Sequence, residues 1–533
     1  MTMLSLGIQY LRERPFLTVC LSLGFIYPFL IQPQPYWGVD GDAAMILAGS
    51  RAGWYPQCTG LEAWIVPWRA LHVTPLCLAY DTFGLHMSQL VRFMSLGYLL
   101  SALGWYAVTW SLFQSRWLSA SLAVLWLVIP DATRLGLIAG ARQFGPALTL
   151  MGIALVLDYR ESGKRWRLIL GCALAFLSLL VYETLIAVWL VGLPLAVLFK
   201  EGTFTGRWRR LTLAALAVVA LYGVWRIYVP TTFTEHTLVE GVHSASLGNV
   251  PRQASVVPFL LAANLLRSAV PMAQFLEQAP YGQQVSVNAW GAMAGLLVLG
   301  FLWVVWSEDR PRRGLTRAGL ILLFLTAAPF LLTELDLPNE SFRSLGINYG
   351  FSLLLAGLFA YLPRRLRRGA LTVLVVSLSI YGSAEAYTAS QGWNGVGTVS
   401  CTFWGNLTEA LAELPPYVLI QGAPDAPLRD VYQMSSIAGL LYASPETPVN
   451  LQHGWAGLNV LGVRYVFLKE GGYQAKGIPP VALHRRVPLP DPFPLEFAAV
   501  VDMQGKVIHA PASLRGGNVG AQARVQQLCD WRR

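Results

Sequence analysis

Apolar runs of bilayer length recur along the first 390 residues of this chain, and they leave few folds open to it. A membrane-crossing helix needs ~20 consecutive, mostly apolar residues. Here such runs alternate with short basic clusters: Arg12/Arg14, Arg116, Arg160/Lys164/Arg165/Arg167, Lys200/Arg207/Arg209/Arg210, Arg310/Arg312/Arg313/Arg317 and Arg364/Arg365/Arg367/Arg368. Arg and Lys gather in cytoplasmic loops, so every one of these clusters is placed in the cytoplasm. The chain is only 13% charged and 55% hydrophobic, whereas soluble domains carry roughly 25% charged residues. An ordinary soluble enzyme is thereby excluded. The net charge of +10 lies in the short turns rather than on one face, so a nucleic-acid partner is not expected.

Spans are then expected near 15–31, 87–112, 117–131, 136–158, 168–181, 184–199, 211–229, 286–306, 318–334, 348–362 and 370–388. The apolar stretch 168–199 is split at Tyr182-Glu183, because one long helix would put a flanking basic cluster outside. The stretch 255–275 carries Pro258, Asn264, Arg267 and Pro271 and reads as an interfacial or re-entrant helix. No cleavage site follows the first apolar segment, which is taken as a span. The expected fold is an α-helical polytopic membrane protein of about 11 transmembrane helices. Its N-terminus would be cytoplasmic and its C-terminus outside.

Near residue 390 the composition changes: Gly, Pro and charge rise and no run of span length remains. Stretches 417–421 and 463–468 read as buried strands, and 406–414 and 430–442 as helices. The expected division is a membrane domain, 1–389, with a first outer loop at 32–86, and a small extracytoplasmic α/β domain, 390–533. Cys20 and Cys172 fall in spans, Cys58 and Cys77 share the first outer loop, and Cys401 and Cys529 bracket the C-terminal region. Two pairs in two outer segments imply two disulfides in an oxidising compartment.

This topology gathers ionisable groups on the outer side. The first outer loop opens with Trp37-Gly-Val-Asp40-Gly-Asp42 and continues through an amphipathic stretch to Gly53-Trp-Tyr-Pro56. Arg134 lies in the second outer turn, Arg142 just inside the next span, and Tyr182-Glu183 in the third turn. His236 belongs to the loop 230–285, and Arg343 closes the last outer loop before the tail. Charges at membrane depth are paired or functional. Each group also has a structural use. Asp42 would cap the helix that follows it, and Asp40 would turn the chain beside Gly41. Arg142 would bridge helices, and Arg343 would pair with Glu340 or Asp336.

A carboxylate can take the proton of an attacking hydroxyl or amine. A second acid can orient the nucleophile or hold a divalent cation, Mg or Mn, for which Asp40 and Asp42 are the candidate ligands. Arginines pair with phosphate in a fork geometry. Together these groups suit glycosyl transfer from a lipid-linked phosphosugar.

The order Asp40-Gly-Asp42, helical stretch, Gly53-Trp-Tyr-Pro56 resembles the first outer loop of the GT-C superfamily. These integral-membrane glycosyltransferases include protein O-mannosyltransferases and lipid A aminoarabinose transferases. The resemblance implies a polyprenyl-phosphate sugar donor and a glycan, lipid or protein acceptor. It also implies inverting displacement and residence in a bacterial inner membrane with the C-terminus periplasmic. Asp42 is the expected base with Asp40 its close competitor and Glu183 a further catalytic candidate. Arg343, Arg134, Arg142, Tyr182 and His236 would bind substrate. Two other classes fit the same membrane load: a transporter, or a polysaccharide polymerase or ligase built around His236, His243 and Arg252. A monosaccharide-lipid donor distinguishes the first reading from both.

Overall fold

A computed structural model of the chain describes residues 71, 74–128, 141–181, 185, 189, 206–228, scattered positions between 363 and 376, 397–421, 431–442, 464–469, 472–475 and 498–530. The helical part contains α1 (Thr74–Phe83), α2 (Met87–Phe113), α3 (Arg116–Val128), α4 (Ala141–Ser162), α5 (Arg165–Val181) and α6 (Gly206–Tyr228). Among the described residues α2 is long and apolar enough to cross a membrane. Its 27 residues rise about 40 Å, more than a ~30 Å hydrocarbon core. Its hydroxyls are satisfied within the helix: Ser95, Ser101 and Thr109 donate to the carbonyls of Val91, Gly97 and Trp105. Such back-bonding removes the cost of placing them in an apolar setting.

The basic residues sit where the helices turn. Gln114 leaves α2 in a left-handed conformation, and Arg116 begins α3 two residues later. The α4–α5 turn passes Gly163, whose φ is +70° and whose N–H donates to the Tyr159 carbonyl. Close packing fixes the helix directions. Gly104 of α2 lies against Leu150 and Met151 of α4, and residues 103–111 share a groove with 151–161, so α2 and α4 run parallel. Gly152 meets the Gly171 carbonyl while Gly145 meets Val181, so α4 and α5 are antiparallel. A Cβ on Gly171 would stand 2.7 Å from Val156 and 2.9 Å from the Gly152 carbonyl. Small residues at this crossing let the backbones touch, as membrane helix pairs commonly do. The α2–α3 and α4–α5 turns therefore lie at one end of the bundle, which we call the basic end.

The bundle also wears its apolar side chains outward. Ile169 is 70% exposed, Val373 66% and Leu213 57%. An apolar exterior of this kind suits a lipid surround.

The C-terminal region contains α7 (397–410), β1 (Tyr417–Gln421), α8 (Val431–Tyr442), β2 (Arg464–Lys469), β3 (Gly472–Ala475), β4 (Ala498–Val501), β5 (Val507–His509) and α9 (Val519–Leu528). The strands form one sheet in the order β3-β2-β1-β4-β5. β1 is central and parallel to both β2 and β4, and the two edge strands run antiparallel. Parallel pairing needs crossovers, and α8 lies in the one between β1 and β2. Strand β1 is apolar and buried at Val418, Leu419 and Ile420, as a central strand should be.

Cys401 of α7 is bonded to Cys529 after α9, closing a separation of 128 residues. The expected pairing of this region is thus present. Cys77 is buried on α1, and Cys58 lies outside the described residues.

Two local expectations differ from the structure. The helix placed at 406–414 is described over 397–410 and has ended by Leu411. Leu411 instead bridges to Arg515, and the Ala412 N–H donates to the Leu514 carbonyl. Pairing with the tail replaces the last helical turn. The segment 32–86, expected as a loop, contains α1, which carries Pro75 in its first turn, where no N–H is required.

The β4–β5 turn shows how tightly the tail is stitched. Asp502 accepts from the N–H groups of Gln504 and Lys506, and Asn406 of α7 donates to the Gln504 carbonyl. Gly505 has φ +79°, and a Cβ there would stand 2.1 Å from the Phe403 carbonyl oxygen. Gly505→Ala is expected to cost at least ~2 kcal/mol, from left-handed strain plus the clash. Loss of the thermal transition of the C-terminal region at a lower temperature would show it.

Candidate functional site

Of the sequence candidates the described elements place one, Arg142, at the end of the bundle opposite the basic turns. Arg142 is in the first turn of α4. One turn on, Gly145 packs against Val181 and Leu185, the described residues on either side of Tyr182-Glu183. The antiparallel pairing of α4 and α5 thus brings Arg142 and Val181 to the same end. Arg134 belongs to the connection between α3 and α4, whose flanking helix ends lie there too. Leu71, which closes the first outer loop's amphipathic stretch, donates its N–H to the Leu180 carbonyl at 3.1 Å. That bond ties Leu71 to the same helix end.

Asp40, Asp42, Arg134, Tyr182, Glu183, His236 and Arg343 lie outside the described residues, as does the side chain of Arg142. Among the described residues no three His, Cys, Asp or Glu side chains gather as metal ligands.

One group at this end carries no local signature in the sequence. Asp530 reaches the start of α2 from the far end of the chain. Its carboxylate accepts the Ser88 N–H at 3.2 Å and the Ser88 hydroxyl at 3.0 Å, and lies 3.2 Å from His86 Nδ1. His86 holds the N-cap position of α2 but makes no capping bond with its own side chain. Asp530 supplies the cap instead, placing a carboxylate on the positive end of the helix. It follows Cys529, so the disulfide to α7 holds the capping group in place. The C-terminal sheet region is thereby joined to the end of the bundle that flanks Arg142, Tyr182 and Glu183. The signal is a contact between residues 442 apart, which no local pattern encodes.

Asp530→Ala should cost ~1–2 kcal/mol, the usual value of a cap, and should raise amide exchange at Ser88 and along α9. Unchanged exchange at both places would show that the cap does not hold the two parts together.

The lower C-terminal region is held by similar means. Asn518 caps α9 by accepting the Ala521 N–H and donates to the Ala412 carbonyl, both at 2.8 Å. Arg524 donates to the Leu441 carbonyl at 2.6 Å. Burial pushes the Tyr442 phenol well above its ordinary range, partly offset by nearby Arg524. These contacts make a rigid support.

No family model and no curated protein matches this sequence. Among solved structures the chain is similar to ArnT from Cupriavidus metallidurans in the apo state, at 14% identity and a TM-score of 0.43, over 86% of this chain and 94% of that one. It is also similar to the same protein bound to undecaprenyl phosphate, at 15% identity and a TM-score of 0.41, over 85% and 92%. A likeness this distant leaves the chemistry to the residues of this chain.

Proposed function

We propose that this chain is a membrane glycosyltransferase that moves a sugar from a polyprenyl-phosphate donor to an acceptor at the outer face of a bacterial inner membrane. The observation that supports the proposal is that the first turn of α4 with Arg142, the contacts of Gly145 with Val181 and Leu185, and the Leu71–Leu180 bond lie at one end of the bundle. Acid and base chemistry at a membrane surface needs carboxylates and phosphate-binding arginines at one depth, and a span-by-span reading of the sequence supports that arrangement.

In the proposed reaction an acceptor hydroxyl attacks the anomeric carbon as Asp42 takes its proton. The bond from that carbon to the phosphate oxygen breaks with inversion. Polyprenyl phosphate departs, and its charge is paired by Arg343, with Arg134 and Arg142 close by. Asp40 orients the acceptor beside Asp42, since alternate residues of an extended segment share one face. Tyr182, Glu183 and His236 contact the sugar. If a divalent cation takes part, Asp40 and Asp42 are its ligands. About 11 spans, a cytoplasmic N-terminus and a periplasmic domain from residue 390 complete the proposal.

Two experiments test it. A reporter active only outside the cytoplasm, fused after residue 533, should be active; activity of a cytoplasm-only reporter there would contradict the topology. Arg343→Lys keeps charge but loses the fork, so the KM for the lipid donor should rise roughly tenfold with a smaller change in kcat. An unchanged KM would remove Arg343 from the phosphate.

A further inference from the structure

A groove of about 710 Å3 lies between the C-terminal halves of α2 and α4, at the basic end of the bundle. Its walls are apolar and half-buried, with Leu103 and Ala107 on one side and Met151, Ala154 and Leu155 on the other. From 103 to 111 the wall is about 12 Å long, enough for the upper part of an extended acyl chain. The groove turns polar only at its mouth, where Ser111, Asp158 and Glu161 stand.

The surroundings of the mouth mark a membrane–water boundary. Trp117 and Trp166 are half exposed there, and Arg116 lies over the ring of Trp110, a groove residue, at 5.8 Å. Tryptophans at one depth with flanking cations are the usual signature of that boundary. The two turns beside the mouth carry Arg116, Arg160, Lys164, Arg165 and Arg167 against Asp158 and Glu161. Asp158 is already paired with Arg167. An apolar slot ending in a net positive rim matches one chemistry: a fatty chain below an anionic phosphate.

We propose that this groove holds one acyl chain of an anionic glycerophospholipid from the leaflet facing the basic turns, with the phosphate at Arg116 and Lys164. The site lies at the opposite end of α4 from Arg142, so it is separate from the proposed sugar-transfer site. A lipid wedged between α2 and α4 would brace the two parallel helices where their direct contact at Gly104 gives out.

The test uses the purified full chain in detergent, with phosphatidylglycerol and phosphatidylcholine of identical chains, read by native mass spectrometry. One phosphatidylglycerol per chain should persist, with roughly tenfold preference over phosphatidylcholine, the discrimination that one or two surface cations supply. The double variant Ala107→Phe, Ala154→Phe fills the slot and should lose that lipid. Arg116→Gln with Lys164→Gln should keep lipid but abolish the preference. Equal retention of the two lipids by the wild type, or unchanged phosphatidylglycerol in the filled variant, would overturn the proposal. So would displacement of phosphatidylglycerol by polyprenyl phosphate. A phosphatidylglycerol with a photoreactive group in its acyl chain gives an answer that needs no variant. Cross-links should fall within 103–111 and 151–161, and cross-links spread over other helices would refute the site.

Discussion

Asp42→Asn should leave the protein folded and still able to bind its lipid donor, yet remove most turnover. An amide keeps the size and hydrogen-bonding reach of the carboxylate but cannot take the acceptor's proton. A positioned base contributes ~10²–10⁴-fold, and the loss should fall in kcat rather than in KM for the donor. Asp40→Asn should cost less, because a group that orients the acceptor does not itself receive the proton. The double variant should be no worse than Asp42→Asn by more than a small factor, since residues acting as a unit are not additive. The comparison separates the two carboxylates. If Asp40→Asn is the more damaging, the base is Asp40 and Asp42 is the helix cap.

Removing the Cys401–Cys529 bond should have the largest effect on stability. The bond closes 128 residues, and in the chain-entropy account a loop of that size contributes about 5 kcal/mol. Here it does more than restrict the unfolded chain. It fixes the residue before Asp530, the group that caps α2. Cys401→Ala with Cys529→Ala should therefore lower the unfolding temperature of the C-terminal region and also loosen the start of α2. Reduction of the wild type should do the same, and amide exchange at Ser88 is the reading that links the two. A drop in stability with no change at Ser88 would mean that α9 holds Asp530 without help.

Much of the helical order could be read from the sequence because charge interrupts it. Arg116 and the Arg160–Arg167 cluster cut the apolar run into pieces, and α2 to α5 occupy those pieces. Strands β1 and β2 were legible from short runs of Val, Ile and Leu bounded by turn residues. The Cys401–Cys529 pairing followed from parity and compartment. Strand β4, Ala498–Val501, is four small apolar residues and carries no such mark. Helix α1 hides in a loop that is otherwise polar and aromatic, and its apolar face makes sense only once Leu76, Cys77 and Ala79 are buried against neighbours. The end of α7 is decided by pairing with Arg515, and the cap on α2 by Asp530; both depend on the tail folding back. Of the candidate site, the sequence supplied residue types and a shared depth. The structure adds the convergence of the ends around Gly145, Val181 and Leu185, while Asp40, Asp42 and Arg343 lie outside its described residues.

The central claim is sugar transfer from a lipid-linked monosaccharide, and it is open to direct measurement. The purified full chain in proteoliposomes would be given polyprenyl-phosphate sugar with the label in the sugar, plus a membrane extract as the source of acceptor. The account predicts that label moves to acceptor while free polyprenyl phosphate appears in equal amount, and that Asp42→Asn and Asp40→Asn both reduce the two products together. Near-normal transfer by both variants would contradict the mechanism. Movement of the intact labelled donor across the bilayer, with no polyprenyl phosphate released, would instead make the chain a transporter.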